Sequence, residues 1–474
     1  MYKVVIGLEV HCELKTNAKV FSPAKNTYTE EPNINVSAID MGFPGIMPVI
    51  NEKAAEQALK MSIALNCNTP DEVMFDRKNY FYPDLPKGFQ ITQVTKPMGK
   101  KGYLIVNVDG EDKRVDINQL HLEEDTASLD HYGNYSLLDY NRSGIPLLEI
   151  VTEPCMHSSK EALALLEVLR SIILYCDVSE AKTDKGQMRC DVNVSLMKED
   201  ASEFGTKVEI KNINSFNNVK DAIEYEIKRQ TEILENGQNV VMETRRFDDD
   251  SRTTLSMRTK VEAVDYKYFV EPNIVPVKIK ETWLKDIQES IPMLPYERVN
   301  LYMEKYELPR YDATIIVKDK AIADFFEEAI THTNNYKYVA NWINGIIMGH
   351  LNKYEQSINE LYLTPKMLVE LIEAVEKKVI SIKQAKDVLY TSLTENKAPL
   401  DIIKSSNMSQ IQDEGEIRNI VTEVLDENPD VIEKYKSGRG NVLDYFVGQI
   451  MKKTRGKANP EIAAKILREE IDKR

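Results

Sequence analysis

The chain lacks most of the short signatures by which enzymes and membrane proteins are read. No apolar run in its 474 residues approaches the roughly 18 needed to cross a bilayer. It contains no GxxxxGKS or GxxxxGKT, no GxGxxG and no HExxH, so neither a P-loop, a dinucleotide turn nor a zinc-protease helix is supported. Cysteine is scarce: Cys12, Cys67, Cys155, Cys176 and Cys190 are odd in number and never spaced as CxxC. That pattern argues against a disulfide framework and a structural zinc site, and leaves reduced core thiols as the expectation. The opening MYKVVIGLEVHCEL alternates like a strand and has no basic n-region or cleavage site, which gives the expectation of a cytoplasmic protein. No internal repeat or low-complexity segment is evident.

What is present describes a globular chain of more than one domain. Hydrophobic residues make up 42% and charged residues 29%, and the length exceeds what one core ordinarily serves. The net charge of −15 argues against a nucleic-acid partner until it is divided. From Lys434 to Arg474 eleven basic residues face five acidic ones, leaving +6 there and −21 on the remainder. A basic tail on an acidic body suits local RNA contact by the tail, with a solvated helical surface as the alternative.

Periodicity predicts an α+β fold for the first ~290 residues. Strands are expected over Val4–Leu14, Tyr103–Val108, Leu147–Val151, Met188–Leu196 and Lys207–Ile213, the last two pairing as a hairpin. Helices are expected over Glu52–Leu65, Lys160–Cys176 and Asn217–Glu235, the last beginning after Ser215 and stopping before Gly237. Half-polar strands predict a largely antiparallel sheet with flanking helices and one open face, a cradle for a substrate. IPMLPYERV, from Ile291 to Val299, marks a boundary. Beyond it the pattern is all-α, with helices over Ala321–Thr331, Tyr338–Leu351, Lys366–Glu376 and Ile382–Tyr390. A turn-rich loop near Thr394–Ser406 precedes a small tail module with helices over Val442–Lys453 and Pro460–Asp472. The domains are set at 1–293, 294–404 and 405–474.

Residues two apart on a strand share a face. Val4, Ile6, Leu8, Val10, Cys12 and Leu14 are therefore expected to bury together, with Glu9, His11 and Glu13 emerging opposite, and Gly7 leaving room on that side. Glu9 and His11 form a carboxylate–imidazole pair suited to a divalent cation. HLEED adds Glu123, Glu124 and Asp125, and Glu149 lies between Leu147 and Val151 on its own strand face. Carboxylates gathered this way repel unless a cation joins them, and Mg2+ is the hard ion that oxygen-rich sites prefer. The expected metal ligands are Glu9, His11, Glu124 and Glu149, with Glu123 the rival to Glu124 because the strand register breaks near Asn118. In MRCDVNVSL the polar face carries Arg189, Asp191, Asn193 and Ser195, and KVEIKN sets Lys207, Glu209 and Lys211 opposite Val208 and Ile210. Arg189 and Lys211 are placed to hold phosphate, with Asp191 or Glu209 helping to position magnesium. Cross-strand ion pairing on an exposed sheet is the alternative.

One stretch stands apart: FDRKNYFYPDLPKGFQITQ, from Phe75 to Gln93. Tyr80, Phe81, Tyr82 and Phe89 sit among Arg77, Lys78, Asp84 and Lys87, stiffened by Pro83 and Pro86, which reads as a rigid functional loop. This stretch joins IGLEVH (Ile6 to His11), HLEED (His121 to Asp125), MRCDVNVSL (Met188 to Leu196) and EIKNINSFNNVKDAIEYE (Glu209 to Glu226). ETRRFD (Glu243 to Asp248) and GRGNVLDYFVGQIMKKTRGKANP (Gly438 to Pro460) complete the set. Together, in this order, they closely resemble the B subunits of the glutamyl/aspartyl-tRNA amidotransferases.

The resemblance implies a division of labour within a heterotrimer. A partner amidase, the glutaminase of the complex, releases ammonia from glutamine, and a small third polypeptide accompanies it. The B subunit uses ATP and Mg2+ to phosphorylate the side-chain carboxylate of mischarged Glu-tRNA(Gln) or Asp-tRNA(Asn). Ammonia then attacks the acyl phosphate. The resemblance also implies a polar ammonia channel at Lys78, Lys87 and Glu124; Lys78 contacting phosphate is the alternative. Glu124, Lys78, Arg189 and Asp191 are the expected catalytic residues. Lys436, Arg439, Lys452, Lys453, Arg455 and Lys457 in the tail are the expected tRNA contacts. Two other readings stay open from the residues alone: a non-catalytic tRNA scaffold and a free-standing Mg2+-dependent carboxylate phosphotransferase.

Overall fold

The computed structural model describes residues 2–213, 215–259, 266–406, 414–436, 442–454, 458 and 460–473. They form two compact units, Met1–Glu297 and Arg298–Arg474. The first is built on an eight-stranded sheet. Its strands are β1 (Tyr2–Glu13), β2 (Gly99–Val108), β3 (Glu111–Glu124), β4 (Pro146–Thr152), β5 (Met188–Lys198), β6 (Val208–Lys211), β7 (Glu243–Asp248) and β8 (Thr253–Thr259). Their order is β8-β7-β6-β5-β1-β4-β3-β2. Only β6 and β7 run parallel; the other neighbours are antiparallel.

One face of this sheet is the core. Ile6, Leu8, Val10 and Cys12 of β1 are essentially inaccessible, as are Val192 and Val194 of β5 and Leu148 and Ile150 of β4. Three helices supply the other side of that core: α1 (Glu52–Ala64), α2 (Ser159–Tyr175) and α3 (Phe216–Glu235). Each starts where a side chain takes up orphan amide donors: Asn51 accepts from the Lys53 and Ala54 amides, Ser158 from Glu161, and Ser215 from Asn218. Such caps contribute about 1 kcal/mol apiece. Gly237, with φ of +72°, ends the α3 segment as expected. All five cysteines are free, and burial pushes the Cys12 thiol up to about 12.

The longest strand, β3, is not among those expected from the sequence. Its first half alternates Val115 and Ile117 inward, its second half Leu120 and Leu122. The parity switch falls where the pairing with β4 shifts register between Ile117 and Gln119, a bulge at Asn118. A bulge defeats a period-two reading, and the strand is visible only as two fragments. A smaller sheet in the same unit pairs Asp76–Asn79 with Phe89–Thr92 on one side and Phe269–Val270 on the other.

The second unit is helical, as expected, with two hydrophobic clusters. One gathers Tyr302, Phe326, Trp342, Ile343, Leu371, Ile372 and Leu389; the other gathers Ile417, Val421, Leu425, Phe446, Ile450, Ile466 and Leu467. The expected loop over Thr394–Ser406 is a correction: Ile382–Glu395 runs further than expected and Pro399–Ser405 is a helix opened by its proline. The expected helix over Tyr338–Leu351 is interrupted by a π-helical turn, Ile343–Ile347, between Tyr336–Trp342 and Met348–Tyr354. Among the described residues no helix is long and apolar enough to cross a membrane.

Candidate active site

The face of the first unit's sheet opposite that core collects its chemistry by register, in part beneath the smaller sheet, whose Thr92 reaches Glu123. His11 of β1 stands opposite Glu149 of β4 and Arg189 of β5; Glu9 stands opposite Asp191; Glu149 in turn faces His121 of β3, and Asn193 faces Glu209 of β6. Residues directly opposite share a face. The hairpin of β5 and β6 forms in the expected way, with Lys211 and Glu209 on the same side as Asp191.

Two groups of donors result. His11, Glu123 and Glu149 bring ligand atoms within 4.8 Å of one another, and so do Glu9, Asp191 and Glu209. In the first, His11 Nε2 lies 3.6 Å from Glu149 Oε2, and His121 Nε2 lies 3.0 Å from the same oxygen and 3.7 Å from Glu123 Oε2. Thr92 Oγ1 donates to Glu123 Oε2 at 3.1 Å. In the second, Asn193 Nδ2 donates to Glu9 Oε1 at 2.9 Å, Lys211 Nζ to Asp191 Oδ2 at 2.6 Å, and Thr244 Oγ1 to Glu209 Oε2 at 2.7 Å.

The field over this face is negative. Burial opposes protonation of His121, but Glu149 and Glu123 outweigh it and hold the imidazole protonated up to about 10. His11 is raised too, burial again being outweighed by Glu149. Glu149 is pulled well below its ordinary value because His121 and His11 overcome its burial. Glu9 moves up, through burial and then through Glu149. A group of carboxylates that draws its own imidazoles into the charged form wants a cation. With the His11 proton given up on binding, the mixed oxygen and nitrogen donors of His11, Glu123 and Glu149 fit a divalent metal.

The expected grouping of Glu9, His11, Glu124 and Glu149 is therefore corrected. Leu120 and Leu122 point into the core, so parity sends His121 and Glu123 to the open face and Glu124 away from it. The Glu124 carboxylate instead accepts from Lys87 Nζ at 2.5 Å and from the Ile91 amide at 2.8 Å, with the Lys87 and Glu124 side chains both nearly inaccessible. Glu9 groups with Asp191 and Glu209 instead of with His11. Asp125 pairs with Arg142 at 2.7 Å and with Arg189 at 3.2 Å, and these guanidiniums overcome its burial and hold its carboxyl low.

Lys78 lies on the smaller sheet, its Nζ 5.0 Å from the Tyr266 ring centre and 5.8 Å from that of Tyr80. Burial opposes its charge, but Glu123, Tyr268 and Glu149 raise it, so it shares the field of the first donor group. In the aromatic stretch Phe81 is 93% exposed, while Tyr80 packs edge-on against Tyr266.

In the tail, Lys452 is exposed, whereas Lys453 is engaged by Glu423 at 3.0 Å and Glu427 at 2.7 Å. Arg439, Arg455, Lys457 and the side chain of Lys436 lie outside the described residues. His121, which stands beside Glu149 and Glu123, was not singled out by sequence reasoning, although parity with Leu120 and Leu122 signals its direction. Thr244 was missed because nothing in ETRRFD reveals that β7 lies parallel beside β6.

A family model described as "GatB/GatE catalytic domain" matches residues 4–285, and one described as "GatB domain" matches residues 324–471. The chain is 47% identical over 474 residues, all of both chains, to the B subunit of the aspartyl/glutamyl-tRNA(Asn/Gln) amidotransferase of Halalkalibacterium halodurans. It is 46% identical over 469 residues, 99% of each chain, to the protein of the same name from Persephonella marina. It is 45% identical over 474 residues, all of each chain, to that of Geobacillus thermodenitrificans. With a family model spanning more than half its length and full-length relatives at this identity, the chain belongs to the family of aspartyl/glutamyl-tRNA(Asn/Gln) amidotransferase B subunits.

Proposed function

We propose that this chain activates the side-chain carboxylate of mischarged Glu-tRNA(Gln), Asp-tRNA(Asn) or both, using ATP, within a cytoplasmic heterotrimer completed by an amidase that serves as glutaminase and by a small third polypeptide. The observation that carries the reading is the pair of adjacent donor groups on one open sheet face, His11–Glu123–Glu149 and Glu9–Asp191–Glu209, with Lys211 and Arg189 beside them. A scaffold has no use for carboxylates so close together, since their repulsion works against the fold.

A carboxylate is a poor electrophile with a poor leaving group. Its oxygen attacks the γ-phosphorus of ATP, ADP departs, and the acyl phosphate now carries a leaving group that ammonia displaces as phosphate. Mg2+, held by His11, Glu123 and Glu149, would offset the repulsion between γ-phosphate and carboxylate. Arg189 is 39% exposed at its side chain and still hydrogen-bonded to Asp125, which aims a guanidinium fork at the open face. Lys211 bridges Asp191 and Glu209 and anchors the second group. Lys78 is held charged near Glu123 and Glu149, a place that serves either phosphate or the arriving ammonia. The buried Lys87–Glu124 pair is the expected element of the ammonia route. Residues 1–293 form the catalytic cradle in this reading, 294–404 the helical domain and 405–474 the tRNA-binding tail. ATP cleavage by the reconstituted complex that requires mischarged tRNA tests the proposal. Cleavage indifferent to that tRNA sinks it.

A further inference from the structure

β1 continues past His11 to Glu13, which emerges on the same open face about 6.6 Å further along the strand, the two-residue repeat of an extended chain. Glu13 lines a cavity of about 490 Å3, together with Tyr28, Ser128, Asp139, Asn141 and Arg142 among others. That size lies within the ~300–1,000 Å3 common to small-molecule sites. Neither the donor groups nor the buried Lys87–Glu124 pair uses this cavity.

The Glu13 carboxylate is under-satisfied. Its side chain is only 18% exposed, and its one cationic neighbour within 4 Å among the described residues is Arg142, whose Nε stands 3.8 Å away. That nitrogen is committed to Asp125 Oδ2 at 2.7 Å. A carboxylate withdrawn from water with no close donor is placed to receive a cation brought by a ligand.

The substrate carries such a cation at a fixed distance from its reacting end. In an aminoacyl ester the α-nitrogen of a glutamyl group is separated from the side-chain carboxyl carbon by four bonds of about 1.5 Å, or about 5 Å when extended. With the side-chain carboxylate at the His11 group, the α-ammonium reaches one strand repeat further on. We propose that the cavity receives the aminoacyl end of the tRNA and that Glu13 binds its α-ammonium group, acting as a positioning residue for the carboxylate to be phosphorylated. The assignment rests on the transamidation reading above. Tyr28, 89% exposed at the cavity, offers a ring on which the 3′-terminal base stacks.

The test is a cycle between protein and substrate. The reconstituted complex is assayed with Glu-tRNA(Gln) and with N-acetyl-Glu-tRNA(Gln), in wild type, Glu13→Gln and Glu13→Asp. Wild type should prefer the free amine by roughly tenfold or more in kcat/KM, the size of one charge-assisted hydrogen bond. Glu13→Gln should erase that preference while leaving the KM for ATP unchanged, and Glu13→Asp, which keeps the charge, should retain most of it. A Glu13→Gln enzyme that keeps the full preference, or that falls equally with both substrates, overturns the assignment, the second by showing that Glu13 only braces the Arg142 loop. A wild-type complex that amidates neither substrate refutes the transamidation reading itself.

Discussion

The choice between Glu123 and Glu124 as metal ligand turns on strand parity alone, which makes it a sharp test of the site. Glu123 offers an oxygen within 4.8 Å of the donors of His11 and Glu149. A unit charge about 4 Å from a cation is worth about 4 kcal/mol at an effective dielectric near 20. Taking half of this as the net gain once metal and carboxylate give up their hydration leaves about 2 kcal/mol, or roughly 30-fold in Kd. Titrating Mn2+ into the full chain, followed by its paramagnetic resonance signal, should therefore show Glu123→Gln weakened by about that factor. His11→Ala, which removes a neutral nitrogen donor, should weaken binding as well. Glu124→Gln should bind Mn2+ within about threefold of wild type, because its carboxylate lies on the other side of β3 and holds Lys87. It should melt lower instead, since breaking a buried ion pair costs about 3–5 kcal/mol. Equal loss of Mn2+ affinity in Glu123→Gln and Glu124→Gln would refute the parity argument and the donor group built on it.

Other outcomes follow from the same geometry. His121 is held protonated from its ordinary 6.5 up to about 10, so its interaction with Glu149 stabilises fully below pH 6.5 and is lost as pH rises through 10. The chelated protein's melting temperature should fall across that window, and His121→Asn should flatten the fall; an equal slope in both removes His121 as its source. Lys78→Met should impair glutamine-dependent amidation more than the reaction supplied with high external ammonia if Lys78 serves the ammonia route, and both equally if it holds phosphate. Undiminished activity with either source excludes both roles. In the tail, Lys452→Glu should weaken tRNA binding and flatten its salt dependence more than Lys453→Ala, because Lys453 is already neutralised by Glu423 and Glu427. Filter binding at two salt concentrations decides this, with identical effects counting against the argument.

Much of the fold was legible because a half-buried strand writes its two faces in alternate letters. The faces of β1 and β5 follow the expected division from Leu8 to Glu13 and from Met188 to Val194, with Leu8 and Val10 inward and Glu9 and His11 outward, while Val4 is only partly buried and Ser195 is buried. Helices α1, α2 and α3 carry their caps in the sequence as Asn51, Ser158 and Ser215, and their bounds lie within a residue or two of expectation. The family was legible from long ordered motifs, which periodicity could not have provided. The short β7 and β8 were not expected as strands. Their buried network of Glu226, Arg229, Glu243, Arg245 and Thr254 looks like surface charge until the chain is folded.

The site itself was half legible, and the illegible half has one cause. His11 and Glu149 could be placed on one face because each lies in an unbroken alternation. Glu123, Glu124 and Asp125 could not be ordered by composition, since three consecutive acids offer one to either face whatever the register. What orders them is the pair Leu120 and Leu122, whose burial against the core fixes parity for the last stretch of the strand. Counting forward from Val115 and Ile117 instead leads to the opposite answer, because the bulge at Asn118 inserts one residue. The bulge thus does functional service: it lets one long strand brace the sheet edge with its first half and still present His121 and Glu123 beside Glu149 with its second. Local hydrophobic residues nearest a candidate ligand are the safer guide to its direction than any pattern carried across a polar stretch.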